Sequence, residues 1–266
     1  MSLNLTHIHP KAKIGQHVEI SPFVTIYEDT EIGDNCWIGP NVTIMNGARI
    51  GNGVKIYPGA VIAGDPQDLK YRGEPTLAII GNNTTIRECV TVNKGTVWSG
   101  KSMVGDNCLL MAYAHIAHDC IIGSNCVIAN NAALAGHIIV EDYAVLGGVT
   151  AVHQFVKIGQ HAFISGGSLV RKDVPPFVKA AKEPLSFIGV NSIGLRRRGF
   201  NEERIKCIED IYRIIFVQNH NVTKAVSLVE AEVDPSPERD IILDFIRNSE
   251  RGIMKGYTNG RYENND

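Results

Sequence analysis

Along most of this chain an aliphatic residue returns at every sixth position. From Ile8 the series runs through Ile14, Ile20, Ile26, Ile32, Ile38, Ile44, Ile50 and Ile56 to Ile62. It resumes in phase at Ile80, Ile86 and Val92, and again from Val104 through Leu110, Ile116 and Ile122 to Val170. Two positions before the aliphatic residue a small one recurs, as at Ala12, Val24, Cys36, Ala48 and Ala60. A period of six fits neither the turn of a helix nor strict alternation. It predicts a hexapeptide solenoid, a left-handed parallel β-helix in which each face of a triangular prism takes one hexad. Three hexads then close a coil of about 18 residues, stacked on the next at about 4.8 Å.

Only Asp68 and Glu74 put polar residues in phase, and Trp98 keeps phase among loop-like neighbours. Both interruptions span whole hexads, so 63–79 and 93–103 are expected to be loops extruded without disturbing the stack. The solenoid is expected over 1–172. Glycine often follows the aliphatic residue (Gly15, Gly33, Gly51, Gly105, Gly123), which suggests tight corners with permissive φ.

At Asp173-Val174-Pro175-Pro176 the hexads stop, because paired prolines cannot continue a ladder. A small α-helical domain is expected over 173–266, covering the open end of the solenoid. Asn201 is a candidate cap for a helix to about Gln218, a second helix begins near Thr223, and a third starts at Ser236-Pro237 and runs to about Gly252.

Composition adds exclusions. A formal net charge of −2 gives no bulk reason to expect nucleic acid. No basic and apolar leader opens the sequence, and no apolar run is long enough for a transmembrane segment, so a cytoplasmic protein is expected. Cys36, Cys108, Cys120 and Cys126 all fall in the small inward position, where a thiol fills space, rather than in a disulfide or metal framework.

The same register sorts the histidines. His118, Gly136 and Gln154 lie one coil apart, with His137 and His153 one position to either side. His115 precedes them on the first of these coils, so all should line one edge of the prism. A neutral imidazole there suits a general base, with adjacent Asp119 fixing its tautomer if the corner bends enough. The Gly136 amide is placed to stabilise an oxyanion. Three histidines on an edge equally suit zinc, or simply solvate a groove. Spacing alone leaves these readings open.

Longer motifs narrow them. Gln67-Asp68-Leu69-Lys70-Tyr71-Arg72-Gly73-Glu74-Pro75-Thr76, Ala114 to Cys120 and Leu134-Ala135-Gly136-His137 resemble those of the UDP-N-acetylglucosamine O-acyltransferases of lipid A biosynthesis. So do Thr150 to Phe155 and Gly194-Leu195-Arg196-Arg197-Arg198-Gly199-Phe200. The order and spacing agree from the first hexads to the helical region. The resemblance implies a homotrimer with active sites between neighbouring prisms. It implies transfer of an (R)-3-hydroxyacyl group from acyl carrier protein to the glucosamine 3-hydroxyl of UDP-N-acetylglucosamine, the first step of lipid A biosynthesis. His118 would be the base, Asp119 its orienting partner and Gly136 the oxyanion donor. Gln67, Asp68, Lys70, His115 and His137 would contact the sugar or its diphosphate. His153, Gln154, Asn191 and Arg198 would complete the nucleotide and pantetheine surroundings. No metal and no resident cofactor are implied, since 4'-phosphopantetheine arrives on the carrier protein.

Gly166, in Ser165-Gly166-Gly167, matches the family's acyl-chain ruler, and small residues there imply acyl chains of about 14 to 16 carbons. Asn93-Lys94-Gly95-Thr96 departs from the His-Arg-Gly-Thr often found in the family, and Ile193 replaces a residue that is often acidic. Arg171, Lys172, Lys179, Lys182, Arg196 and Arg197 suggest a patch for the acidic carrier protein. The related N-acyltransferases, coenzyme A acetyltransferases, a zinc-dependent carbonic anhydrase and a non-catalytic scaffold are the competing readings.

Overall fold

The computed structural model describes residues 5–218 and 221–256. Strands of mostly two residues wind around a triangular prism, each pairing in parallel with the strand one coil away. On the first face the register runs Thr25, Thr43, Val61, Thr91, His115, Ala133, Ala151 and Leu169. The three faces hold 9, 8 and 11 strands, and together they make the left-handed β-helix that the hexads predict. Ile26, Ile38, Ile44, Ile56, Ile62, Ile86 and Ile116 point inward with no exposed surface. The inward thiols of Cys36, Cys108, Cys120 and Cys126 each donate to a carbonyl of the next coil, and all six cysteines are free.

The glycines after the aliphatic residues have a different reason from the one expected. The left-handed conformation falls two residues later, at His17, Asn35, Asn107, Asn125 and their equivalents. Gly33 and its counterparts are small because the coils touch there. A Cβ on Gly33 would lie 2.8 Å from the backbone carbon of Gly51. Close stacking, not a special φ, selects glycine.

Both loops leave the prism at one edge. The first connects Val61–Gly64 on the first face to Leu77–Ile80 on the second, and the next joins Thr91–Asn93 to Lys101–Val104. The corners carrying His118, Gly136 and Gln154 also turn from the first face to the second. The loops therefore emerge directly above these corners.

The third face does not end at the prolines. Val178–Ala181 pairs in parallel with Phe163–Ile164, and Ser186–Val190 then returns antiparallel to it. Among the described residues four helices follow: α1, Ser192–Arg197; α2, Glu202–Phe216; α3, Val222–Glu232; and α4, Pro237–Arg247. The side chains of Asn201, Asn221 and Ser236 cap α2, α3 and α4. α4 stops at Asn248, short of Gly252, and α1 is an addition to the expected set. The apolar side of α2 buries Ile205, Ile208, Ile211 and Tyr212, and the Tyr212 hydroxyl donates to the Pro176 carbonyl at 2.5 Å.

Candidate active site

Asp119 adopts φ 58°, which bends the corner so that two neighbouring side chains meet. Its Oδ2 lies 2.8 Å from Nδ1 of His118. The carboxylate has no exposed side-chain surface, and the second extruded loop surrounds it with donors. Thr96 gives its amide to Oδ1 at 3.0 Å and its hydroxyl to Oδ2 at 2.7 Å. The Ser99 hydroxyl donates to Oδ1 at 2.5 Å. Burial by itself would raise the carboxyl's pKa, but the bonds from Ser99, His118 and Thr96 outweigh it and hold the group at about 2. Asp119 is thus an acceptor only. His118 must donate from Nδ1, which leaves the Nε2 lone pair free.

Gly136 lies one coil from His118. A Cβ on Gly136 would sit 2.5 Å from Cε1 and 2.7 Å from Nε2 of His118, so only glycine leaves room for the ring. Among the described residues the Gly136 amide has no acceptor. On the edge between the second and third faces, the equivalent amides are covered by a side-chain oxygen from the next coil. Asp34 covers Gln16, Asn52 covers Asp34, and Asp142 covers Ser124. Among the described residues no such oxygen covers Gly136.

His137 packs edge-on against His118 at 5.0 Å and stacks on Phe155 at 4.4 Å. Burial lowers its pKa; Asp119 and Asp68 oppose this, whereas His118 and Lys70 reinforce it. The Asp68–Lys70 segment is therefore close enough to act on the ring. His115 accepts from or donates to the Thr91 hydroxyl through Nδ1 at 2.7 Å, and burial with the nearby His118 lowers its pKa. His153 and Gln154 are exposed one coil further on.

The two loops are tied to each other. Lys94 pairs with Asp65 at 2.9 Å and lies 5.8 Å from the Tyr71 ring centroid, while the buried Thr76 hydroxyl donates to the Gly95 carbonyl at 2.5 Å. Asn93 is buried, and its Oδ1 has no partner among the described residues. Asp68 folds its own loop by accepting from the Lys70 amide at 2.9 Å.

Comparison with known proteins gives this geometry its setting. Residues 173–254 match the family model described as Udp N-acetylglucosamine O-acyltransferase, domain 2, and 29–64 and 101–136 match bacterial transferase hexapeptide repeats. An acyl-[acyl-carrier-protein]–UDP-N-acetylglucosamine O-acyltransferase of Halorhodospira halophila is 43% identical over 94% of this chain and 100% of its own. The chain belongs to this acyltransferase family. Two solved UDP-N-acetylglucosamine acyltransferases extend the likeness to the whole backbone. That from Bacteroides fragilis is 50% identical with a TM-score of 0.94, covering 96% of this chain and 100% of its own. That from Francisella novicida is 36% identical with a TM-score of 0.92, covering 95% and 93%.

In this acyltransferase, one chain gathers only part of the expected site. Gln67, Asp68, Lys70, His115, His118, Asp119, Gly136, His137, His153 and Gln154 share the edge between the first and second faces. Asn191 and Arg198 do not. Asn191 donates from Nδ2 to the His161 carbonyl at 2.9 Å, and Arg198 lies 5.2 Å from the Tyr143 ring centroid, both at the edge between the second and third faces. Gly166 lies on the remaining edge, where a Cβ would come 3.0 Å from the Gly148 carbonyl oxygen. Ile193 is 61% exposed on α1.

Sequence reasoning missed Thr96 and Ser99. It noted Asn93-Lys94-Gly95-Thr96 as a departure from the family pattern but gave neither hydroxyl a role, although the register already put that loop at the histidine edge. Trp98, 74% exposed, closes the same group by packing edge-on 5.5 Å from His137. Of the basic residues, Arg171 and Arg196 are paired with Glu183 and Glu202, whereas Lys172, Lys179 and Arg197 are exposed.

Proposed function

We propose that the protein transfers an (R)-3-hydroxyacyl group from acyl carrier protein to the glucosamine 3-hydroxyl of UDP-N-acetylglucosamine, the first step of lipid A biosynthesis. The observation that carries this reading is the His118–Asp119 pair, with Nε2 open and a free amide one coil away at Gly136. The names of the relatives supply the two substrates.

The 3-hydroxyl loses its proton to His118 Nε2 as its oxygen attacks the thioester carbonyl. Asp119 holds the ring and stabilises the imidazolium that forms. The tetrahedral oxyanion takes the Gly136 N–H. Collapse breaks the carbon–sulfur bond, and the departing pantetheine sulfur takes the proton back from His118. The acyl group never resides on the protein, so no serine or cysteine nucleophile is needed. The pantetheine comes with the carrier protein, and the reaction asks for no resident cofactor.

Gln67, Asp68, Lys70, His115 and His137 bind the sugar and diphosphate. Asn191 and Arg198 lie on a different edge from His118, so a second copy of the chain supplies them, together with Arg198's charge for the nucleotide phosphates. His153 and Gln154 complete that cleft. This is the reason for a homotrimer. The exposed Lys172, Lys179 and Arg197 face an acidic carrier protein. Gly166 leaves space for acyl chains of about 14 to 16 carbons. Among the described residues no helix is long and apolar enough to cross a membrane, and the reading places the reaction in the cytoplasm.

The test is a product assay by mass spectrometry with UDP-N-acetylglucosamine and 3-hydroxyacyl carrier proteins of graded chain length. Acylated nucleotide sugar is expected, with a maximum among the long donors. No transfer with any donor rejects the assignment, and a preference for short donors rejects the role of Gly166.

A further inference from the structure

One buried polar atom at the histidine edge has no partner. Among the described residues, nothing hydrogen-bonds to Nδ1 of His137. It faces Asp119 Oδ2 at 3.8 Å, beyond hydrogen-bond reach. The same oxygen lies 2.8 Å from His118 Nδ1, and one ligand atom from each of His118, Asp119 and His137 falls within 4.8 Å of the other two. Zinc bonds of about 2.0–2.1 Å place tetrahedral donors about 3.3 Å apart, midway between the two distances seen. A change of about half an ångström in each of these two nitrogen–oxygen distances would give the spacing of ligands on one ion.

The surroundings favour this. The three donors come from corners of two stacked coils, and His137 is clamped between Phe155, Trp98 and His118. The anionic oxygen is kept in place by the Thr96 hydroxyl. Two imidazoles and one carboxylate suit zinc, cobalt or copper better than magnesium or calcium, which prefer oxygen alone. The two histidine side chains retain 12% and 14% of their exposure, so an ion can enter from the cleft.

We propose that His118, Asp119 and His137 bind one zinc-class divalent ion, and that this ion reversibly inhibits acyl transfer. The inhibition rests on the acyltransferase mechanism above, whereas the binding does not. Coordination through Nδ1 of a neutral His118 moves its proton to Nε2. The lone pair that accepts the substrate proton is then lost, and the Nδ1–H bond to Asp119 is replaced by the metal. No proton is released and no redox change is involved.

Cobalt(II) is the probe, titrated into the metal-free full-length protein and followed by its visible d–d bands, with displacement by zinc. One equivalent per chain is expected. His118→Ala and His137→Ala should each weaken binding by at least about tenfold, and His153→Ala should leave it unchanged. Zinc should abolish transfer by the wild type, and a chelator should restore it. Absence of stoichiometric cobalt binding overturns the proposal, as does binding that survives both alanine variants. A wild type that holds zinc and keeps full activity overturns the inhibitory part. A metal-free protein with no transfer activity would instead count against the acyltransferase mechanism, and the cobalt titration would still report on the site.

Discussion

The ring of His118 occupies the volume that a side chain on Gly136 would need. A Cβ there would stand 2.5 Å from Cε1 of His118. The glycine therefore does two things at once: it admits the imidazole and leaves its own amide uncovered. Gly136→Ala should displace the ring, lowering kcat by about 100-fold or more while changing stability by about 1–2 kcal/mol. Steady-state kinetics beside thermal melting checks this, and an alanine variant with wild-type kcat would remove His118 from the chemistry.

Thr96 and Ser99 hold Asp119 ionised, so their hydroxyls should act on catalysis without touching substrate. Losing them in Thr96→Val or Ser99→Ala should raise the carboxyl's pKa and move the acidic limb of the pH–rate profile upward. A fall in kcat of about tenfold is expected with KM little changed, and Thr96→Ser should recover most of it. An unchanged acidic limb in both variants would show that the loop only packs against the corner.

His161 offers a test of stability against pH at the edge that carries Asn191 and Arg198. It stacks between Tyr143, at 4.8 Å, and Phe177, at 5.7 Å, and its Nδ1 has no partner among the described residues. Burial, aided by Arg198, lowers its pKa to about 4. Between that value and about 6.5 the unfolded chain binds the extra proton, so the folded state loses stability as pH falls. The contribution, on the order of 3 kcal/mol, is present in full above about pH 6.5 and gone below about pH 4. Denaturation midpoints of His161→Phe should fall less steeply across that window than those of the wild type. Equal slopes would contradict the buried, neutral state.

If Asn191 and Arg198 serve the cleft of another copy, defects in different residues should complement. His118→Ala and Arg198→Ala should each be nearly inactive as pure proteins. Co-refolded in equal amounts, they should regain activity in roughly a quarter of the sites. Mixed assemblies with no regained activity would mean that each chain completes its own site.

The six-residue period made the prism legible because each inward position is fixed by one buried aliphatic residue. The histidine edge was legible for the same reason: residues one coil apart, such as His118 and Gly136, must lie above each other. Thr96 and Ser99 were not, because an extruded loop has no phase, and only its hydrogen bonds to Asp119 determine where it points. The strands Val178–Ala181 and Ser186–Val190 were hidden by the prolines before them, since pairing resumes on the third face after the break. The glycines after the aliphatic residues were placed by the repeat, but their cause, contact with the next coil, needed the stacked backbone. The separation of Arg198 from His118 is likewise a property of three dimensions, because it depends on which face the chain has reached when the coils end.

The most direct measurement is acyl transfer from 3-hydroxyacyl carrier protein to UDP-N-acetylglucosamine by His118→Ala beside the wild type, with folding confirmed by circular dichroism. The account predicts a folded variant whose kcat is lower by about 1,000-fold or more. A folded variant within about tenfold of the wild type would contradict His118 as the base that takes the sugar's proton.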